Sequence, residues 1–268
     1  MEAEETLQNE YIINRRVSPN VQLFPFGVYA KLSDSQEEPL ATEFVRLNTT
    51  IPVPKVLDVI PSYLYGTQFD SVILLTKRIP GVPFSDSTKF EIETATPEQR
   101  EIFQRTLYTW LTQLRNIPTP HSEKVCGFSG GSLTSFRIET AHRQRVGPWS
   151  DVREFHAQNF NTAFPNYPDE ADEQTKRAIL ERPSKEYRIC LTHGDLQPHN
   201  LLIDDNGRPC GLIDWETASW MPEYWEHIIA IRMFVHGYPA WANIWREIFP
   251  QYEDDLRIEG QIDKWFFP

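Results

Sequence analysis

The run Leu191-Thr-His-Gly-Asp-Leu-Gln-Pro-His-Asn-Leu-Leu-Ile203, followed closely by Gly211-Leu-Ile-Asp-Trp-Glu216, leaves this chain few ways to fold. Two apolar runs, Asn200–Ile203 and Cys210–Ile213, flank Asp204-Asp205-Asn206-Gly207-Arg208-Pro209. Asp-Asn-Gly is turn chemistry for antiparallel strands, because Asn and Gly accept the positive φ angles of a tight reversal. A hairpin here sets Asp195 and Asn200 at the entrance of its first strand and Asp214 at the exit of its second. Three oxygen-bearing side chains are thereby brought to one end of one rigid element. Such a set suits magnesium, which takes oxygen ligands in octahedral geometry and shares its shell with water and substrate phosphates. The competing reading is an Asp/Asn-rich hairpin that only caps its own turns.

His193-Gly-Asp-x-x-x-x-Asn200 followed by Ile213-Asp214-Trp215 resembles the catalytic and metal-binding segments of the aminoglycoside phosphotransferase family, relatives of choline kinases. The resemblance implies a two-lobed, protein-kinase-like α+β fold, with a small antiparallel-sheet lobe followed by a larger, mainly helical one. It also implies roles. Asp195 would face the acceptor hydroxyl as the catalytic residue, and Asn200 and Asp214 would hold Mg2+ on the phosphates of ATP. His193 would support the loop from beneath.

The N-terminal part fits a small lobe. A weak strand is expected at Glu10–Arg16, then strands at Val21–Phe26 and Val28–Leu32 about a Pro25-Phe26-Gly27 turn. Glu37–Leu47 follows with Leu40, Phe44 and Leu47 at helical spacing, which predicts that they form its buried face. Pro52 and Pro54 end that helix, and Val72–Leu75 is a strand by composition. Val28-Tyr-Ala-Lys31 resembles the family strand that bears the phosphate-contacting lysine, and Glu43 resembles the helix glutamate paired with it. Thr76, Lys77, Arg78 and Ile79 are the candidates for an extended segment whose backbone meets the adenine edge. On this reading residues 1–79 form the nucleotide-side lobe, residues 80–268 form the acceptor-side lobe, and the linker lies near 76–82. No Gly-x-Gly-x-x-Gly precedes Lys31, so Ser18-Pro19-Asn20, or Lys31 and metal alone, would have to meet the phosphates.

Further on, Thr96-Pro-Glu-Gln opens a helix by capping, and Phe103, Leu107, Trp110, Leu111 and Leu114 recur on one face as core. The Gly/Ser-rich stretch 126–150 either lines the acceptor side or simply packs. Helices are expected at Asp151–Phe160 and Asp169–Leu180. After Asp214 there is no Phe-Gly and no long activation segment, which argues against a protein kinase, whose peptide platform is built from that segment. Instead the chain is expected to enter a helix at Pro222, with Tyr224, Ile228, Ile231 and Phe234 on one face. Pro-x-Tyr-Trp-Glu resembles a small-molecule branch of the family common in fungi. Trp215, Glu216 and Glu226 are candidates for the acceptor side, although either glutamate could instead organise the helix start. Trp241, Trp245, Trp265, Phe266 and Phe267 read as core.

The formal net charge of -12 and sequence pI near 5.1 exclude a basic nucleic-acid face. No stretch has the apolar length of a membrane span, and Met1-Glu-Ala-Glu-Glu-Thr has neither the basic start nor the apolar run of a secretory signal. Cys126, Cys190 and Cys210 are widely spaced and odd in number, which reads as free thiols in a cytoplasmic protein. The expectation is an ATP-dependent phosphotransferase acting on a hydroxyl of a small-molecule acceptor. Two alternatives stand beside it: a weak or inactive nucleotide-binding relative, suggested by the missing glycines, and a kinase-fold enzyme reused for a non-phosphoryl reaction on a metabolite.

Overall fold

A turn with two successive positive φ angles, Phe26 at 63° and Gly27 at 65°, folds the first strands of the small lobe back on each other. A computed structural model of the chain describes residues 15–62, 71–135, 138, 145–163, 173, 177, 182, 185–232 and 239–266. Strands β1 (Arg15–Ser18), β2 (Val21–Phe24), β3 (Val28–Ser33), β4 (Val56–Pro61) and β5 (Val72–Lys77) form an antiparallel sheet in the order β1-β2-β3-β5-β4. The expected first strand overlaps β1 at Arg15 and Arg16; residues 10–14 fall outside the described part. Ser18-Pro19-Asn20 is the β1–β2 turn, and the Asn20 carbonyl accepts from the Leu32 N–H at 2.9 Å.

Helix α1 (Glu37–Asn48) crosses this sheet with a different inner face from the expected one. Leu40 and Leu47 are 54% and 67% exposed, whereas Glu38, Ala41, Thr42 and Val45 are buried. The apolar stripe misled because the inner face is built from small residues and one carboxylate. Only Phe44 of the expected stripe is packed, against Phe128 of the large lobe.

Local signals were reliable in the large lobe. Helix α2 (Pro97–Asn116) starts with a capping box between Thr96 and Gln99 and with Pro97 in its first turn. Its stripe of Phe103, Leu107, Trp110, Leu111 and Leu114 is buried in the core, as are Trp241 and Trp245. Helix α3 spans Val152–Ala163; the second helix expected after it lies almost wholly outside the described residues, as do Phe234, Phe267 and the side chains of Trp265 and Phe266.

The hairpin forms. In chain order, β6 (Val82–Pro83), β7 (Cys126–Gly127), β8 (Ile189–Thr192), β9 (Leu201–Ile203) and β10 (Pro209–Leu212) are short strands of the large lobe, and β6, β9 and β10 join in one sheet. Asp204 holds the reversal: its Oδ1 accepts from the N–H groups of Asn206 at 2.8 Å and Arg208 at 2.9 Å. Gly207 takes φ 75°, and a Cβ there would strike the Phe90 ring.

One expected helix start was misread. Ser219-Trp-Met-Pro222 is a strand, β11, running between β7 and β8, and Pro222 ends it rather than starting a helix. Two tryptophan-rich pieces with a proline between them read as one helical approach. β11 is a strand because Trp220 and Met221 pair with Leu191 and Cys190, residues about thirty positions away in sequence. Helix α4 then begins at Trp225 and ends at Arg232, followed by α5 (Pro239–Ile248) and α6 (Glu253–Phe266). All three cysteines are free thiols, and among the described residues no helix is long and apolar enough to cross a membrane.

Candidate active site

Between the small lobe and the β9–β10 hairpin the chain gathers one ammonium and three carboxylates. Lys31 Nζ, near the end of β3, donates to Asp214 Oδ1 at 2.6 Å, Glu216 Oε2 at 3.0 Å and Glu38 Oε1 at 3.1 Å. Burial alone would lower the pKa of this ammonium. The charges of Glu38, Asp214 and Glu216 outweigh burial and hold it well above the ordinary lysine value. On the acidic side, burial comes first, with repulsion from Asp214 and Glu216 added, and pushes Glu38 up to about 7 in spite of Lys31. Glu216 is raised by burial too. Three carboxylates about one ammonium leave the cluster short of positive charge.

The expected pair between Lys31 and Glu43 is not formed. Glu43 sits on the outer side of α1 and binds Arg46, with Oε2 accepting from Nε at 2.8 Å and Oε1 from Nη2 at 2.5 Å. Residues 38 and 43 are five apart, about 140° around a helix of 3.6 residues per turn, so only one can face Lys31. Glu38 does. Glu38→Gln is therefore expected to weaken magnesium–nucleotide affinity by about tenfold, through loss of a charge-assisted bond. Glu43→Gln breaks only an exposed ion pair and should change affinity less than about twofold. Titration calorimetry on both variants checks the order; the reverse order would return the role to Glu43.

The loop after β8 is set from below. His193 is fully buried; its Nδ1 accepts from the Asp195 N–H at 3.3 Å and its Nε2 meets the Ile213 carbonyl at 2.9 Å. Both ring nitrogens are thus committed to the backbone, which makes His193 a spacer between the two strands and not a base. Trp215, expected on the acceptor side, is buried against His193 at 4.5 Å between ring centres. Glu226 is not on the acceptor side either. Its buried carboxylate accepts from the N–H groups of His193 at 2.5 Å and Gly194 at 3.3 Å. Burial raises its pKa, opposed by these bonds and by His193. Sequence pattern alone gave no sign of this, because the bond joins residues 33 positions apart.

Asp195 and Asn200 face each other across the turn. The Asn200 Nδ2 donates to the Asp195 carbonyl at 2.8 Å and to Asp195 Oδ2 at 2.9 Å, which directs the Asn200 carbonyl oxygen elsewhere. The Ile213 N–H donates to the Asn200 carbonyl at 3.1 Å, so Asn200 and Asp214 flank one ladder rung. Asp214 itself takes φ 69°, a left-handed conformation uncommon outside glycine. His199 Nε2 lies 3.6 Å from Asp195 Oδ2, and the bond to Asp195 raises the imidazole above its ordinary pKa.

The donor chemistry fits a hard divalent cation. Asp214 keeps its second carboxylate oxygen free of Lys31, Asn200 has a carbonyl oxygen turned from Asp195, and Glu216 adds a further oxygen. Oxygens of Glu38, Asp214 and Glu216 lie within 4.8 Å of one another.

In the linker, Thr76 and Lys77 end β5. The Lys77 N–H donates to the Lys55 carbonyl at 2.9 Å and the Arg78 N–H to the Gly27 carbonyl at 2.8 Å. Lys77 Nζ donates to the Phe26 carbonyl at 2.5 Å, so its ammonium ties the β2–β3 turn down. Among the described residues no acceptor meets the N–H of Ile79, which leaves it open to an outside partner.

The chain can now be set beside known proteins. Residues 25–256 match the sequence profile of the phosphotransferase enzyme family. A comparison with curated protein sequences gave no significant match. Among solved structures, the GDP and kanamycin complex of APH(2")-IIIa is similar over 99% of this chain and 90% of its own, with TM-score 0.62 and 9% identity. A thermostable mutant of aminoglycoside phosphotransferase APH(4)-Ia is similar over 94% and 92%, with TM-score 0.58 and 14% identity. Aminoglycoside phosphotransferase APH(3'')-Id from Streptomyces rimosus, in complex with ADP and streptomycin, is similar over 100% and 98%, with TM-score 0.54 and 15% identity. At these identities the likeness establishes a shared two-lobed, kinase-like fold.

Proposed function

The chain belongs to the phosphotransferase enzyme family, and from that premise we propose that it transfers the γ-phosphoryl group of ATP to a hydroxyl of a small molecule. The observation that carries this reading is the meeting of Lys31, Glu38, Asp214, Asn200 and Asp195, drawn from both lobes, at one end of the β9–β10 hairpin.

In this reading Glu38 fixes the Lys31 ammonium, which grips phosphate oxygens once nucleotide separates it from Asp214. Asp214 and Asn200 would hold Mg2+, with Glu216 as a further oxygen donor beside them. The ion would supply positive charge against the charge that develops on the transferring group. Asp195 accepts a hydrogen bond from the acceptor hydroxyl and aims its oxygen at the phosphorus; positioning dominates, so an ordinary carboxylate suffices. The His193 spacer and the Glu226 anchor keep Asp195 at a fixed height. Ile79, and the carbonyls beside it, would meet the nucleotide base, in place of the Lys77 and Arg78 N–H groups already bonded within the chain.

The β1–β2 turn supports a loose phosphate grip. Of its residues Ser18, Pro19 and Asn20, the proline has no N–H to offer, and no glycine lets the backbone approach closely. Phosphate binding would therefore rest on Lys31 and the metal to an unusual degree. Accordingly, calorimetry with ATP should show affinity that depends strongly on magnesium, and Asp214→Ala should remove that dependence. Magnesium-independent binding, or binding indifferent to Asp214, would refute the reading. Detectable binding with no turnover on any alcohol would favour a nucleotide-binding relative without catalysis.

A further inference from the structure

We propose that residues 125–135 together with 145–149 form a brace that fixes α1, and through it Glu38, to the sheet carrying the catalytic loop. Arg145 and Phe128 are then positioning residues for the nucleotide site. The proposal rests on the functional reading above for its consequence, but the brace itself is visible in contacts that the reading does not use.

The brace is rooted in the large lobe. Val125 and Trp149 exchange backbone hydrogen bonds at 3.1 and 2.9 Å, and Leu133 and Val146 do so at 2.8 and 2.9 Å. Cys126 and Gly127 pair with Trp220 and Ser219 of β11, whose other edge pairs with β8. β8 leads straight into His193-Gly194-Asp195. The Phe128 carbonyl is pinned twice, by Trp220 Nε1 at 3.0 Å and His121 Nε2 at 3.1 Å.

From this root two groups reach α1. The Phe128 ring meets Phe44 edge to face, with centres 5.3 Å apart. Arg145 donates through Nε to Ser132 Oγ at 3.1 Å and through Nη2 to the Ser132 carbonyl at 2.5 Å, which orients its guanidinium. Its Nη2 then lies 3.2 Å from Glu37 Oε2, the residue next to Glu38. One contact grips the first turn of α1 and the other the third. Together they set both the position and the rotation of the helix. Rotation matters most: a turn of the helix by one residue would carry Glu38 about 100° away from Lys31.

Contacts of this kind fix a helix that its own lobe holds weakly. Leu40 and Leu47 of α1 face solvent, and its inner face is largely small side chains, so little apolar burial resists rotation. Without the brace, the Lys31–Glu38 bond and the packing of Ala41 and Val45 would have to hold the orientation.

A charge swap tests this. In the nucleotide-free protein, Arg145→Glu and Glu37→Arg should each speed amide hydrogen exchange in α1 by about fivefold, with α2 unchanged. The double variant R145E/E37R should recover most of the protection. Affinity for magnesium with a non-hydrolysable ATP analogue should fall about fivefold in each single variant and recover in the double, while Tm barely moves. Unchanged α1 exchange in the single variants, or a double variant no better than either single, would overturn the brace. Altered Tm with α1 exchange and affinity intact would also overturn it, leaving only a packing contact. Should the wild-type protein bind no nucleotide, the functional reading fails, while the exchange data still decide the brace.

Discussion

Asp195→Asn is expected to lower phosphoryl transfer by about 10²–10⁴-fold, with nucleotide affinity and thermal stability close to wild type. The substitution keeps shape. An asparagine oxygen can still accept from Asn200 Nδ2, which reaches both the Asp195 carbonyl and its side chain. What disappears is the carboxylate that, in the proposed reading, would face the acceptor hydroxyl. The same variant carries a second signature. Asp195 is the main reason that the His199 pKa is raised, ahead of desolvation, which acts the other way. Removing the carboxylate should move the His199 titration, followed by NMR, back toward the ordinary imidazole value. The sign for stability follows from linkage: the folded-state pKa is raised, so the His199–Asp195 interaction contributes fully below the unfolded value of about 6.5 and fades as pH rises through the raised one. Asp195→Asn should remove that acid-side contribution. Transfer that survived the change would show that another group orients the acceptor.

Gly194→Ala is expected to damage the folded loop severely, costing about 3 kcal/mol or more. Gly194 has φ 81°, and a Cβ there would lie 2.3 Å from the Thr217 carbonyl oxygen and 3.0 Å from Thr217 Oγ1. Thr217 cannot retreat easily. Its Oγ1 donates to the His193 carbonyl at 3.0 Å, and it stands just before β11. The Gly194 N–H is meanwhile committed to Glu226. Alanine must therefore either adopt a disfavoured backbone or push the catalytic turn off its anchor. Gly131→Ala serves as the control, because a Cβ there meets nothing within 4 Å. Thermal or denaturant unfolding of both variants checks the contrast. Equal stability would mean that the turn can shift freely, and the rigid positioning argued for Asp195 would fall with it.

The two predictions differ in how readable their residues were. Asp195, Asn200 and Asp214 stood out in the sequence because the hairpin that gathers them is local: its turn chemistry, its short strands and its flanking polar residues fit within two dozen positions. Helix α2 was legible for the same reason, with a capping box at one end and one apolar stripe along its length. By contrast, the partner of Lys31 was misread. Glu38 and Glu43 both lie on α1, and the resemblance pointed to Glu43, whereas the fold turns Glu38 toward Lys31 and Glu43 toward Arg46. Glu216 was recognised as a site candidate, but its place on Lys31, 185 residues away, was not.

By itself, then, the sequence determined those elements whose stabilising contacts lie close along the chain, and with them the set of oxygen donors on which the functional reading depends. Only the tertiary structure decided which carboxylate meets Lys31, that Ser219–Pro222 is a strand, and that Trp215 and Glu226 lie beneath the catalytic turn instead of beside an acceptor. Each of those outcomes depends on contacts between segments distant in sequence. A residue's neighbours across a lobe or a sheet leave no periodic trace in its own segment, so packing alone selects among side chains that local chemistry leaves equivalent.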